Sequence, residues 1–294
     1  MICFFSDTEL TIEMYRSALI DLVSNNGYTV RKSTLSKLWS LRFLFSAKII
    51  ISSNMRANLI SLLLFWKRKL VIVNGLGRYR QSKYYRRVLL CMILCNRRSV
   101  IVFQNYADFR FYRRYAKKAN LRWVPGSGGS NFGARALKCR KPNKVALVSR
   151  DSKILLQKSS ILAFAKQFPE LALRVYGLRS EMKSIAGIDF ENCGFVERDV
   201  LVAECEYHFS PSGYGEGVPH TLVDAVCNKL TIVIEKRDLI RYGLHKYLKS
   251  YHSNGIFCVI EHSVDLSEAL LERSINVDYY QIFHSLVSCR HKDV

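Results

Sequence analysis

YHFSPSGYGEGVPHTLVDAVCNKLTIVI, residues 207–234, divides into an apolar strand (YHFSPS, 207–212), a glycine-rich loop, a helix over 219–228 and a second strand, LTIVI (230–234). Pro219 suits a first helical turn, where a missing N–H costs nothing. Two strands joined through one helix make a parallel βαβ unit. The same alternation runs outward in both directions. Before it lie KVALVS (144–149), a helix near 156–168, ALRVYG (172–177) and ENCGFV (191–196); after it come GIFCVI (255–260) and helices over 267–273 and 277–289. The first half repeats the rhythm: ICFFS (2–6), with FF as a buried first strand, a helix over 8–26 stopped by Gly27, YTVRK (28–32), KIIISS (48–53), a helix over 54–66, KLVIV (69–73), a helix over 82–96 and SVIVF (99–103).

A chain of 294 residues exceeds the usual size of one core and suits two. The stretch 123–144, WVPGSGGSNFGARALKCRKPNK, is rich in Gly, Ser and charge without a sustained period, so a linker is expected within it. The fold class expected is therefore α/β, two Rossmann-like domains facing an interdomain cleft: 1–135, a linker at 136–143, a second domain over 144–275, and a C-terminal helix over 276–294. Ligands of such sheets gather at the carboxyl ends of the strands.

Within this frame, SPSGYGEGVPHTLVDAV (210–226) resembles the signature of the large family-four retaining glycosyltransferases of GT-B architecture: Pro-Ser, a short loop, Glu-Gly-x-Pro, then a helix carrying a second acid. The resemblance implies that Glu216 contacts the transferred sugar and that Asp224, where the family usually has Glu, accepts hydrogen bonds from a ribose. Gly217, Val218, Pro219 and Leu222 complete the implied nucleotide site, with free N–H groups at the helix start for a diphosphate. The stretch 147–177 is similar to the opening of the family's donor domain. It supplies Arg150 and Lys158 as the cations that balance the departing diphosphate, with Lys153 a rival for Lys158. Phe195 and Val196 fall where the family lines its nucleobase pocket.

In the first half, VNGLGR (73–78), VFQNYADFRFY (102–112) and VPGSGGS (124–130) resemble a bacterial branch that builds O-antigens and capsules. Gly75 and Gly77 there permit close backbone approach to phosphate or sugar, or form only a tight turn. The chain departs from the family in carrying SDTELT (6–11) where a glycine-rich loop is usual, and in having no His in residues 1–143.

Charge separates the halves. Residues 1–143 hold 27 Lys and Arg against 5 Asp and Glu, and the remainder 18 against 19. RYRQSKYYRR (78–87), NRR (96–98), RFYRRYAKK (110–118) and KLWSLRFLF (37–45) mix cations with aromatic side chains, a mixture suited to lipid headgroups or to stacked bases and phosphates. The apolar runs at 59–66 and 88–95 are well short of the roughly 20 residues that span a bilayer, and the amino terminus lacks the pattern of a secretion signal. The nine cysteines are read as reduced core residues. Together with the resemblance, these features imply transfer of a sugar, with retention, from a nucleoside-diphosphate sugar to a lipid-linked (polyprenyl-diphosphate) oligosaccharide in O-antigen or capsule synthesis. No cofactor, no essential metal and no nucleic-acid partner are expected. The location expected is cytoplasmic, peripheral on the anionic inner face of the plasma membrane. The competing readings are a catalytically impaired nucleotide-sugar scaffold, which would bind without turnover, and a basic nucleic-acid-binding protein, which would account only for the charge.

Overall fold

Short apolar strands alternate with amphipathic helices throughout, and two separate sheets result. The computed structural model describes residues 1–76, 82–128, 141–196, 204–212 and 217–288. The first sheet consists of Ile2–Ser6 (β1), Val30–Thr34 (β2), Ile49–Ser53 (β3), Arg68–Val73 (β4), Val100–Phe103 (β5) and Asn120–Trp123 (β6). Its order is β2-β1-β3-β4-β5-β6, with every pair parallel. Alternate side chains serve opposite faces. Ile2, Phe4, Ile49, Ile51, Leu70, Ile72, Val100 and Val102 form one core, while Val71, Val73, Ile101 and Phe103 face another and Cys3, Phe5 and Ile50 a third. Such two-sided burial is why these strands read as unbroken apolar runs.

The helices that cover this sheet start where capping side chains allow. Thr8 accepts from the Thr11 N–H at the head of Glu9–Asn25, Ser82 from Tyr85 N–H at Lys83–Cys95, and Asn105 from Ala107 and Asp108 N–H at Tyr106–Tyr115. Leu19 and Val23 of the first helix share their core with Ile275, Tyr279, Phe283 and Leu286 of the last helix, Glu272–Ser288. The carboxyl-terminal helix is thus part of the first unit. Of the described residues, 1–128, 217–218 and 271–288 form that unit, and 141–196, 204–212 and 219–270 the other.

The second sheet is built from Lys141–Val148 (β7), Ala172–Tyr176 (β8), Glu191–Gly194 (β11), Cys205–Ser210 (β12), Thr231–Glu235 (β13), His252–Asn254 (β14) and Phe257–Ile260 (β15); Ser184–Ile185 (β9) and Ile188–Asp189 (β10) pair apart from it. The order is β11-β8-β7-β12-β13-β15-β14, parallel as far as β13 and antiparallel beyond. Phe209, Val145, Leu147, Val175 and Val233 meet Ile161 and Phe164 of helix Lys158–Gln167 on one face.

The expected α/β class with two Rossmann-like units is what forms, with several corrections. The linker placed at 136–143 overlaps β7, whose first residues, Lys141, Pro142 and Asn143, continue an apolar strand outward. The second domain, expected over 144–275, ends at 270, and the helix expected at 276 begins at Glu272, because Ile275 is already needed in the first core. The helices read at 267–273 and 277–289 are Val264–Leu270 and Glu272–Ser288. β2 starts two residues later than YTVRK, and the helix read near 156–168 is Asp151–Ile154, a 3-10 turn and Lys158–Gln167. Helix Tyr106–Tyr115 and the short strand β6 also form, although the sequence reading placed neither. Cys91 and Cys95 are free but exposed rather than in the core, since they lie on the outer face of Lys83–Cys95.

Two consequences are measurable. Phe283 is fully buried, and Phe283→Ala should destabilise the first unit by about 3–5 kcal/mol in urea unfolding; a loss below about 1 kcal/mol would show that the helix is not part of the core. His208, buried on β12 beside Ala146 and Ile232, has neither ring nitrogen hydrogen-bonded, and burial pushes its pKa down to about 4. The unfolded chain therefore takes up this proton near pH 6.5 and the folded chain only near 4, so stability is full above pH 6.5 and falls by roughly 3 kcal/mol as the pH drops through that window. His208→Leu should remove this part of the slope between pH 7 and 4.5, and an unchanged slope in thermal melts would refute it.

Candidate functional site

Parallel sheets present their ligand edge where the strands end, so the residues just past β7, β8, β11, β12 and β13 define the candidate site of the second unit. Past β7, Ser149 is followed by Arg150, an exposed residue at the cap of helix Asp151–Ile154. Asp151 accepts from the Arg179 N–H at 3.0 Å, from the Ser180 N–H at 3.1 Å and from the Ser180 hydroxyl, and these bonds, the hydroxyl first, hold its carboxyl below its usual range. They fasten the exit of β7 to the exit of β8. Gly177 makes the approach possible: its φ is +90°, and a Cβ there would lie 2.7 Å from the Ser149 carbonyl oxygen. Lys158 is exposed as the first residue of helix Lys158–Gln167, whereas Lys153 is half-buried and not without a partner.

Past β11, Phe195 is 70% exposed, with the Arg179 guanidinium 5.5 Å from its ring centroid, and Val196 is half-buried. Past β12, the Ser212 N–H lies 3.5 Å from the Ser160 hydroxyl, which donates to Glu235 at 2.5 Å; Arg237 pairs with the same carboxyl at 2.6 Å. Asp238 pairs with Arg241 at 3.0 Å, and burial outweighs that cation and the Ser212 hydrogen bond to raise its pKa. Ser160, Ser212, Glu235 and Asp238 were not singled out from sequence. Glu235 carried a signal all the same: an acid that closes an apolar parallel strand stands at the ligand edge.

The signature segment divides. Glu216 lies outside the described residues, as does Gly77. Pro219 caps helix His220–Cys227 from the position before its first residue, so the helix starts one residue later than the sequence suggested. Leu222 is fully buried and Asp224 only 2% exposed. Asp224 is not without a partner, as a charge at that depth requires.

Gly217 and Val218 belong to the first unit, where polar residues again follow the strand ends. Asn54, Asn74 and Gln104 stand directly after β3, β4 and β5. Asn74 donates to Asn54 at 2.9 Å, and Asn54 donates to the Thr11 hydroxyl at 3.3 Å. Asn54 itself has φ 71° and ψ 150°, a backbone conformation that costs a non-glycine residue about 1–3 kcal/mol. Arg16, 2% exposed, donates to the Ser127 carbonyl, lies 3.4 Å from the Asn74 side-chain oxygen and sits 5.4 Å from the Tyr279 ring centroid. Gly217 is buried against this edge: a Cβ on it would meet the Asn74 carbonyl oxygen at 2.8 Å and Gln104 Cβ at 2.9 Å. Gly75, with φ 146°, follows Asn74. Among the described residues no group of three His, Cys, Asp or Glu could hold a metal ion.

No family model matches the sequence, and no curated protein matches it. Solved structures do. The crystal structure of HepE from Anabaena in complex with UDP and glucose superposes with a TM-score of 0.57 at 14% identity, over 98% of this chain and 99% of that one. The complex of the same protein with UDP-glucose gives 0.56 at 14% identity and the same coverage. A likeness this distant is one of fold, extending over both Rossmann-like units.

Gly217→Ala should force its segment away from Asn74 and Gln104. Amide hydrogen exchange at 217–218 and 74–76 is expected to rise by about an order of magnitude; unchanged exchange would mean that the segment does not rest there.

Proposed function

We propose that the chain is a GT-B glycosyltransferase that moves a sugar, with retention, from a nucleoside-diphosphate sugar to a lipid-linked (polyprenyl-diphosphate) oligosaccharide during O-antigen or capsule synthesis. The observation that carries this reading is the convergence at one sheet edge. Arg150 past β7, Lys158 at the head of the helix that follows it, and Pro211 and Ser212 past β12, which lead into the signature, stand toward the carboxyl ends of parallel strands. The likeness of the whole fold to a protein crystallised with UDP-glucose supports the same class of donor.

In the proposed reaction Arg150 and Lys158 neutralise the diphosphate, aided by the backbone N–H groups that open helix His220–Cys227. Glu216 contacts the donated sugar, Asp224 faces the ribose from within its helix, and Phe195 and Val196 border the base. The bond from the anomeric carbon to the phosphate oxygen breaks as the acceptor oxygen bonds to the same face, and the acceptor proton passes to the departing phosphate. That route needs neither a side-chain base nor a metal ion. No helix among the described residues is long and apolar enough to cross a membrane, so the proposed place at the cytoplasmic face rests on peripheral contact.

Nucleotide sugars, UDP-glucose first, should raise the thermal midpoint of the protein by mass action. Glu216→Gln should keep that shift and lose turnover on the order of a hundredfold or more. Silence across a whole donor panel would sink the proposal.

A further inference from the structure

Helices Lys83–Cys95 and Tyr106–Tyr115 lie on one face of the first sheet, joined through Leu89, Ile93 and Tyr112. Between them opens a cavity of about 350 Å³ lined by Lys83, Arg86, Arg87, Leu90, Phe111 and Tyr115. Helical spacing creates it, because 83, 86, 87 and 90 fall on one face of their helix and 111 and 115 on one face of the other. The lining is half cationic and half apolar, with no acid in it. Among the described residues no carboxylate lies within ion-pair distance of Lys83, Arg86 or Arg87. The Arg86 guanidinium sits 3.6 Å from the centroid of the Phe111 ring, a contact that fixes the cation while leaving its N–H donors unspent. Three converging, uncompensated cations repel one another until an anion joins them.

We propose that this cavity docks the first unit on an anionic bilayer. Lys83, Arg86 and Arg87 take the phosphate of a lipid headgroup, and Leu90, Phe111 and Tyr115 meet the apolar carbons beneath it. The apolar half of the lining favours a lipid over a free phosphate, as do the exposed Tyr84, Leu94 and Tyr115 on the same two helices. One open cavity with three cations suits a single phosphate, whereas a nucleic-acid strand would use a row of such sites. The proposal rests on the glycosyltransferase reading only for its purpose, which is to bring the enzyme to a lipid-borne acceptor.

The test is co-sedimentation of the full chain with vesicles of phosphatidylcholine, alone or mixed with phosphatidylglycerol. The protein should bind the mixed vesicles, and Lys83→Glu combined with Arg87→Glu should weaken binding at least about tenfold. Arg31→Glu combined with Lys32→Glu makes the same charge change on β2, at the opposite edge of the sheet, and should leave most binding in place, because exposed charges are screened beyond about 8 Å. Circular dichroism melts of both variants, which spare the Arg86–Phe111 contact, establish that each is folded. The thermal shift given by nucleotide sugars should be unchanged in both, so failure of docking and failure of the enzyme reading are told apart. Equal losses from the two pairs would overturn the proposal by reducing it to net charge. Displacement by inorganic phosphate with no preference between the vesicles would reassign the cavity to a soluble anion. Binding of a single-stranded oligonucleotide in place of vesicles, lost in Lys83→Glu/Arg87→Glu, would reassign it to nucleic acid.

Discussion

The Tyr279 hydroxyl donates to the Gly126 carbonyl at 2.7 Å and accepts from the Gln104 side chain at 3.0 Å, and the Arg16 guanidinium lies over the same ring. All these groups are buried, and they join the first helix, the exits of β5 and β6, and the last helix. A guanidinium out of water is tolerated only while its partners stay in place, and removing one partner of such a set costs several kcal/mol. The first unit therefore cannot adjust the ends of its strands one at a time. Thr11, Asn54 and Asn74 inherit their positions from this fixed edge, and Gly217 fits against it because it has no Cβ.

The second unit arranges its ligand edge by a different device. Backbone groups do most of the fastening: Asp151 holds two N–H groups past β8, and the Gly177 backbone passes the Ser149 carbonyl at a distance no side chain allows. Arg150 and Lys158 are exposed at the same edge and, among the described residues, take part in no ion pair, as the proposed diphosphate site requires. Buried acids stand behind them, and Glu235 and Asp238 are each held by an arginine and a serine.

Charge follows the same division of labour. The excess of cations belongs to the half that builds the first sheet, and on helix Lys83–Cys95 it lines a cavity instead of being spread over solvent. Cations that converge without acids are unfavourable for the isolated fold, so their arrangement points to an anionic partner rather than to stability.

By itself the sequence determined that the chain alternates strand and helix, that it makes two α/β halves, and that the signature residues follow a strand in the second half; those features depend on local period and on turn residues, which neighbours in the chain fix. Arg150 follows Ser149 at the strand end, whereas the helix that Lys158 opens starts later than its apolar pattern suggested. Only the tertiary structure decided that Glu272–Ser288 completes the first core, that Asp224 is buried, that Gly217 rests on Asn74, and that Ser160, Ser212 and Glu235 meet. Each of these joins residues far apart in the chain, and the physical reason lies in which apolar face covers which sheet, a choice that packing makes and spacing along the chain does not record.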